Sequence, residues 1–140
     1  MMIMSNNLPL VYDNIIATVS PPEGDIHLQG GYCASCGQYH FPIADNCPNC
    51  FGDVERANLG RDAQIHSVST IRTKAPLGLP SPYSVAYVDM KDVPLRLFAL
   101  MAPEEAGHYQ IGQSVELVVA PLGVNNQDEP CLRPYFRAAK

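Results

Sequence analysis

The chain has 140 residues, a formal net charge of −5, 46% hydrophobic residues and only nine lysines and arginines. That size allows one domain, or one domain with a small appendage, and the apolar fraction is enough for a compact core. No apolar run approaches the roughly 18 residues of a membrane helix, and the scattered cations form no basic stripe for a polyanion.

Residues 1–30 read as a lead-in segment. Met1–Leu10 is apolar but has neither a basic region nor a full hydrophobic stretch, so a secretory signal is not expected. Val11–Ser20 can form a short helix or strand with too few apolar residues to stand alone. Such a segment either docks on a partner subunit, for example as a helix, or frays. Pro21-Pro22-Glu23-Gly24-Asp25 cannot continue a helix or a central strand.

Residues 31–54 carry two Cys-x-x-Cys pairs, Cys33-Ala34-Ser35-Cys36 and Cys47-Pro48-Asn49-Cys50, ten residues apart. Two such knuckles can close one tetrahedral site, a zinc ribbon. Soft thiolates at about 2.3 Å suit a d¹⁰ ion, so one structural Zn²⁺ per chain is expected, with iron as the minor alternative. A dithiol switch fits the paired spacing less well. Four protein ligands leave no open position for water or substrate, so the metal holds structure together. With the shell full, His40 is expected at the surface or in a hydrogen bond, while Tyr32 and Phe41 are expected to cover the metal. Loading the four thiolates with one Zn²⁺ takes the net charge to about −7.

Residues 59–137 read as β-structure. Ala63–Ile71 alternates at period two, placing Ala63, Ile65, Ser67, Ser69 and Ile71 on one face. A proline-rich loop follows from Ala75 to Pro82, then strands at Tyr83–Met90 and Leu95–Met101, with Asp92-Val93-Pro94 turning between them. Ser114–Ala120 is a fourth strand and Cys131–Arg137 a fifth, after the polar loop Gly123–Pro130. Five strands with no long helical pattern indicate a small barrel or sandwich, and a five-stranded OB-like barrel has the right count and size. The expected fold class is therefore mainly β, an N-terminal zinc ribbon followed by a five-stranded OB-like barrel.

No Ser-His-Asp or Cys-His arrangement is visible, and His66 and His108 stand alone, so no catalytic residue is assigned. Cys131 fits a small core residue. Cysteines held as metal thiolates fit a reducing compartment, and a cytoplasmic protein is expected. OB barrels often stack single-stranded nucleic acid on aromatics, and Tyr83, Tyr87, Phe98, Tyr109, Tyr135 and Phe136 lie in this region. The negative charge opposes that alternative.

Several blocks in fixed order carry a family likeness: Gly31-Tyr32-Cys33-Ala34-Ser35-Cys36-Gly37, His40-Phe41-Pro42 and Cys47-Pro48-Asn49-Cys50. Further on come Gly60 with the strand to Thr70, Pro82–Val88, Ile111–Glu116 and Pro134-Tyr135-Phe136. Over residues 26–137 the chain resembles the zinc-ribbon plus OB-fold proteins that accompany thiolases and related acyl-CoA enzymes in bacteria and archaea. The resemblance implies a non-catalytic accessory subunit of a hetero-oligomer. Its partner would be a thiolase-fold subunit that makes or breaks a carbon–carbon bond in an acyl-CoA. The activated cysteine of that chemistry would then sit on the partner, not at Cys131. Acyl-CoA would be met through the complex, and its phosphates need cations beside an apolar slot. Arg72 and Lys74, just before Ala75–Pro80, offer these; Arg96, Arg133 and Arg137 are further candidates, and solvated surface charge is the alternative. Neither nucleic acid nor membrane is expected as a partner.

Overall fold

The computed structural model describes residues 16–18 and 26–139. The ribbon half is built around β2 (Ile26–Cys33). β1 (Ile16–Thr18) and β3 (Gln38–His40) pair with opposite ends of β2 along one side, and β4 (Val54–Gly60) pairs along the other. All pairings are antiparallel. Of the segment expected as a short helix or strand, Ile16–Thr18 is strand, and the rest of Val11–Ser20 lies outside the described residues. The lead-in and ribbon meet inside one strand, since β2 runs from Ile26 through Cys33.

β2 reads poorly as a strand because it carries Gly30-Gly31. The packing explains the second glycine. A Cβ at Gly31 would lie 2.6 Å from Val54 Cγ1 and 2.9 Å from His40 Nε2, so β3 and β4 close on β2 only over a bare backbone.

The second half is an antiparallel sheet in the order β7–β6–β5–β8–β9. Its strands are β5 (Asp62–Ile71), β6 (Tyr83–Met90), β7 (Arg96–Leu100), β8 (Ser114–Val124) and β9 (Pro130–Ala138). The sheet curls until its two edge regions touch. Met101, just past β7, bridges in parallel to Phe136 of β9, and the Ala102 amide donates to the Phe136 carbonyl at 2.7 Å. The expected OB-like barrel is therefore present as a half-barrel, open beside most of β7.

One face assignment differs from the periodicity. Ile65 pairs with Val88 and Ser67 with Tyr87, leaving His66 as an extra residue in a bulge. The bulge shifts the alternation by one. Val68 and Thr70 turn inward, opposite Ala86 and Ser84, and Ser67 and Ser69 turn outward with Tyr87 and Val85. Inside, the Thr70 and Ser84 hydroxyls are 3.0 Å apart, and Ser84 Oγ accepts from the Gly107 amide at 3.0 Å, so the buried serine is satisfied. The bulge also frees the Ile65 backbone to bond the 110–113 loop, donating to Gln113 O at 2.9 Å and accepting from Gly112 N at 2.8 Å.

A single apolar core joins the halves. Leu28 of β2 and Leu59 of β4 are buried with Ile65, Val88, Leu117 and Phe136 of the half-barrel. Each fully buried aliphatic side chain contributes about 2 kcal/mol. The ribbon and the half-barrel therefore stabilise each other.

Candidate metal centre

Cys33 closes β2, and the chain turns back so that the Gly37 amide donates to the Cys33 carbonyl at 2.7 Å. The second knuckle repeats this turn, with the Phe51 amide donating to the Cys47 carbonyl at 2.8 Å. Cys47 N–H donates to Gly52 O at 3.0 Å, and Asn46 pairs with Asp53, which pins the knuckle at its base.

These turns bring the sulfurs of Cys33, Cys36, Cys47 and Cys50 within 4.8 Å of one another. Cys33–Cys50 and Cys36–Cys47 are 3.5 and 3.6 Å apart, each contact joining one knuckle to the other. A tetrahedron of ~2.3 Å metal–sulfur bonds has edges of about 3.8 Å. Cys33 and Cys47 are buried, and Cys36 and Cys50 are exposed.

Electrostatics make the same demand. The Cys50 backbone amide, opposed by burial and helped by the Asn49 amide, lowers the Cys47 thiol to about 7. At Cys50 the Gly52 amide favours the thiolate, but hydrogen bonding with Cys33, burial and the Cys36 and Cys47 sulfurs outweigh it, pushing the thiol up to about 12. Four thiolates cannot share this space without a cation among them. The donor set, spacing and charge fit one tetrahedral thiolate-bound metal, with zinc the ion these ligands suit best.

Tyr32 lies on Tyr39, with ring centroids 4.7 Å apart, and Phe41 packs against the shared core. His40 neither faces solvent at its Nε2 nor bonds through it. That nitrogen is buried against Gly31 without a partner among the described residues, because the β2–β3 register sets His40 opposite Gly31. Phe51 projects from the second knuckle, 80% exposed.

Arg72 and Lys74 are both exposed at the mouth of the proline-rich loop. The other three cationic candidates are engaged. Arg96 makes a two-pronged bond to Asp89 at 2.6 and 3.2 Å, which holds the Asp89 carboxyl below its ordinary range. Arg137 donates to Glu116 at 2.9 Å. Arg133 donates to the carbonyls of Leu122 and Val124 at 3.1 and 2.7 Å. Cys131 is buried, as a core residue should be, and His66 and His108 are exposed. Tyr109 and Phe136 are core residues, but Tyr87 and Phe98 face outward, 48% and 62% exposed, in an edge-to-face pair with centroids 5.2 Å apart. Alternation could not single these out, because Tyr83–Met90 carries large apolar residues on both faces.

A closed tetracysteine ribbon sharing its core with a curled five-stranded sheet defines a class of small metal-ribbon β-proteins. The ChsH2 rubredoxin-like zinc ribbon domain matches residues 24–55. The benzoylsuccinyl-CoA thiolase subunit BbsA of Geobacter metallireducens is 34% identical over 119 residues, covering 84% of this chain and 79% of that subunit. A DUF35 domain-containing scaffold protein of Methanothermobacter thermautotrophicus is 29% identical over 105 residues, covering 73% of this chain and 78% of that protein. Among solved structures, an Ltp2-ChsH2(DUF35) aldolase chain superposes with a TM-score of 0.59 at 23% identity, covering 81% of this chain and 86% of that one, and shares the fold. The chain belongs to this family of ChsH2-type zinc-ribbon, DUF35-related proteins.

Proposed function

We propose that this chain is a non-catalytic, zinc-binding accessory subunit of a thiolase-type acyl-CoA complex. The observation that carries the reading is its 34% identity to a thiolase subunit across ribbon and half-barrel together. The chemistry agrees. The metal shell is filled by protein, and the buried Cys131 is unsuited to acyl transfer. Among the described residues no helix is long and apolar enough to cross a membrane. In this reading the complex is cytoplasmic, zinc fastens the ribbon, and the thiolase-fold partner carries the reactive cysteine. Arg72 and Lys74, exposed beside the proline-rich loop, would meet the acyl-CoA phosphates, and a homodimeric catalytic partner makes a two-plus-two assembly natural.

The test is co-expression with the thiolase-type subunit of the same organism. Expected is one co-eluting species whose acyl-CoA cleavage or condensation requires both chains; separate elution at micromolar concentration overturns the reading. Within such a complex, Arg72→Ala with Lys74→Ala is expected to raise KM for the CoA ester severalfold with little change in kcat. A second reading, a single-stranded nucleic-acid binder, draws on the exposed Tyr87–Phe98 pair, since OB-type barrels use that part of the sheet. A chain of charge −5 opposes it, and a mobility-shift assay at moderate salt separates the two.

A further inference from the structure

β7 is an edge strand whose outer side is open. Among the described residues it pairs only with β6, until Met101 reaches Phe136. The phase of the ladder is set by Met90 N–H donating to Leu95 O at 2.9 Å and Met101 N–H donating to Ser84 O at 3.0 Å. Backbone groups of alternate residues point to opposite sides of a strand. Leu97 and Ala99 therefore bond β6, and the amides and carbonyls of Arg96 and Phe98 point away from the sheet, while the outer side of Leu100 meets β9 where Met101 bridges Phe136.

This open edge adjoins an apolar surface. Ser67, Tyr87 and Phe98 form one outward row across three strands, and Ser69, Val85 and Leu100 form the next. The small serines leave a shallow depression of about 270 Å³ beside the two rings. The charges at its end, Asp89 and Arg96, neutralise each other in their two-pronged bond. An unpaired edge with an exposed aromatic pair is a liability in a free chain and a template in a complex.

We propose that β7 is the docking edge of this subunit. It takes an extended, uncharged segment of the catalytic partner as an added strand on Arg96 and Phe98, with one apolar side chain laid into the depression beside Tyr87 and Phe98. The inference rests on the accessory-subunit reading and names the surface it uses. Charge selects the occupant's chemistry: with Asp89 and Arg96 satisfied, a charged segment gains nothing in the slot and loses hydration. Area and charge disfavour a second copy. A five-residue strand is about 17 Å long, so pairing β7 with itself covers only a few hundred Å², well below the ~1,200 Å² of a stable interface, and sets two chains of charge −5 together. A larger partner can add contacts elsewhere.

The experiment measures amide exchange by NMR at Arg96 and Phe98 in the free chain and in the co-expressed complex, with Leu97 and Ala99 as internal controls. It adds Phe98→Pro, which removes an outward amide and a ring but no bond to β6. Expected are fast exchange at 96 and 98 in the free chain, protection of at least tenfold in the complex, and at least tenfold weaker association for Phe98→Pro. If the proline variant fails to fold, Phe98→Lys is used in its place. Should the wild-type complex form while both amides exchange as in the free chain, or while the variant binds equally well, the docking edge is wrong and the accessory role stands. If no complex forms, the accessory role itself fails. Protection arising in the chain alone, with sedimentation as a dimer, or arising from an added dT oligonucleotide, names a different occupant and overturns the proposal.

Discussion

Gly37 and Phe51 are equivalent residues of the two metal knuckles. Each follows the second cysteine of its pair, each donates its amide to the carbonyl of the first cysteine, and each takes left-handed backbone, with φ of 74° and 61°. The geometry that aims two sulfurs at one ion therefore demands the same reversal twice. Glycine makes it without cost at 37; a bulky aromatic side chain makes it under strain at 51.

Phe51→Gly should accordingly stabilise the ribbon. The left-handed conformation costs a non-glycine residue about 1–2 kcal/mol, and glycine returns about 0.4–1 kcal/mol of that through the greater freedom of its unfolded chain. The ring is largely exposed, so little burial is lost. The expected net gain is about 0.5 kcal/mol. Gly37→Ala should lose a similar amount through backbone alone, because nothing lies within 4 Å of the added Cβ. Thermal melts of the metal-loaded chain check both; a Phe51→Gly variant that melts lower than wild type would contradict the strain argument.

Metal removal tests the centre and its coupling to the half-barrel. Purified chain should carry one zinc and be colourless, whereas ferric tetrathiolate would colour it. Because the site does not exist in the unfolded chain, metal binding free energy is folding free energy for the ribbon. Chelation, or Cys33→Ser or Cys50→Ser, should therefore unfold the ribbon and release the partner. The half-barrel should persist but be weakened by about 4 kcal/mol, since Leu28 and Leu59 leave the shared core. Metal analysis with calorimetry reads this. An unchanged melt after complete demetallation would refute it.

The His66 bulge shows what sequence pattern could and could not supply. The five half-barrel strands and the clustering of the four cysteines were legible, the strands because period-two runs are bounded by glycine and proline, the cluster because a knuckle is a local motif. The inward face of β5 beyond Ile65 was not, because the bulge depends on where the 110–113 loop meets Ile65, a tertiary contact. β4 was missed because Val54-Glu55-Arg56-Ala57-Asn58 sets adjacent charges in a strand buried mainly at its end. The exposure of Tyr87 and Phe98 also depends on which face of the sheet the core covers. The bulge has a measurable consequence. Val68→Ala should cost about 1 kcal/mol, and Ser67→Ala should stay within about 0.5 kcal/mol of wild type. Chemical denaturation distinguishes them; the reverse order would place Ser67 inside.

Tyr109 gives the half-barrel a stability that depends on alkaline pH. Its hydroxyl donates to the Ala102 carbonyl at 3.0 Å, and the residue is 7% exposed. Burial, with the negative charges of Glu105 and Glu104, pushes its phenol up to about 12. The unfolded phenol titrates near 10, so between about pH 10 and 12 the unfolded chain holds fewer protons than the folded one, and stability falls as pH rises. The contribution is intact below pH 10 and has shrunk by about 1.4 kcal/mol at pH 11. Tyr109→Phe lacks this titration but leaves the Ala102 carbonyl without its donor, at a cost of about 1 kcal/mol near neutrality. Wild type should therefore be the more stable by that margin at pH 8, and the two should cross near pH 11. Urea titrations of both proteins at pH 8, 10 and 11 measure the gap directly, and a gap constant over that range would mean that the phenol titrates alike in the folded and unfolded chains.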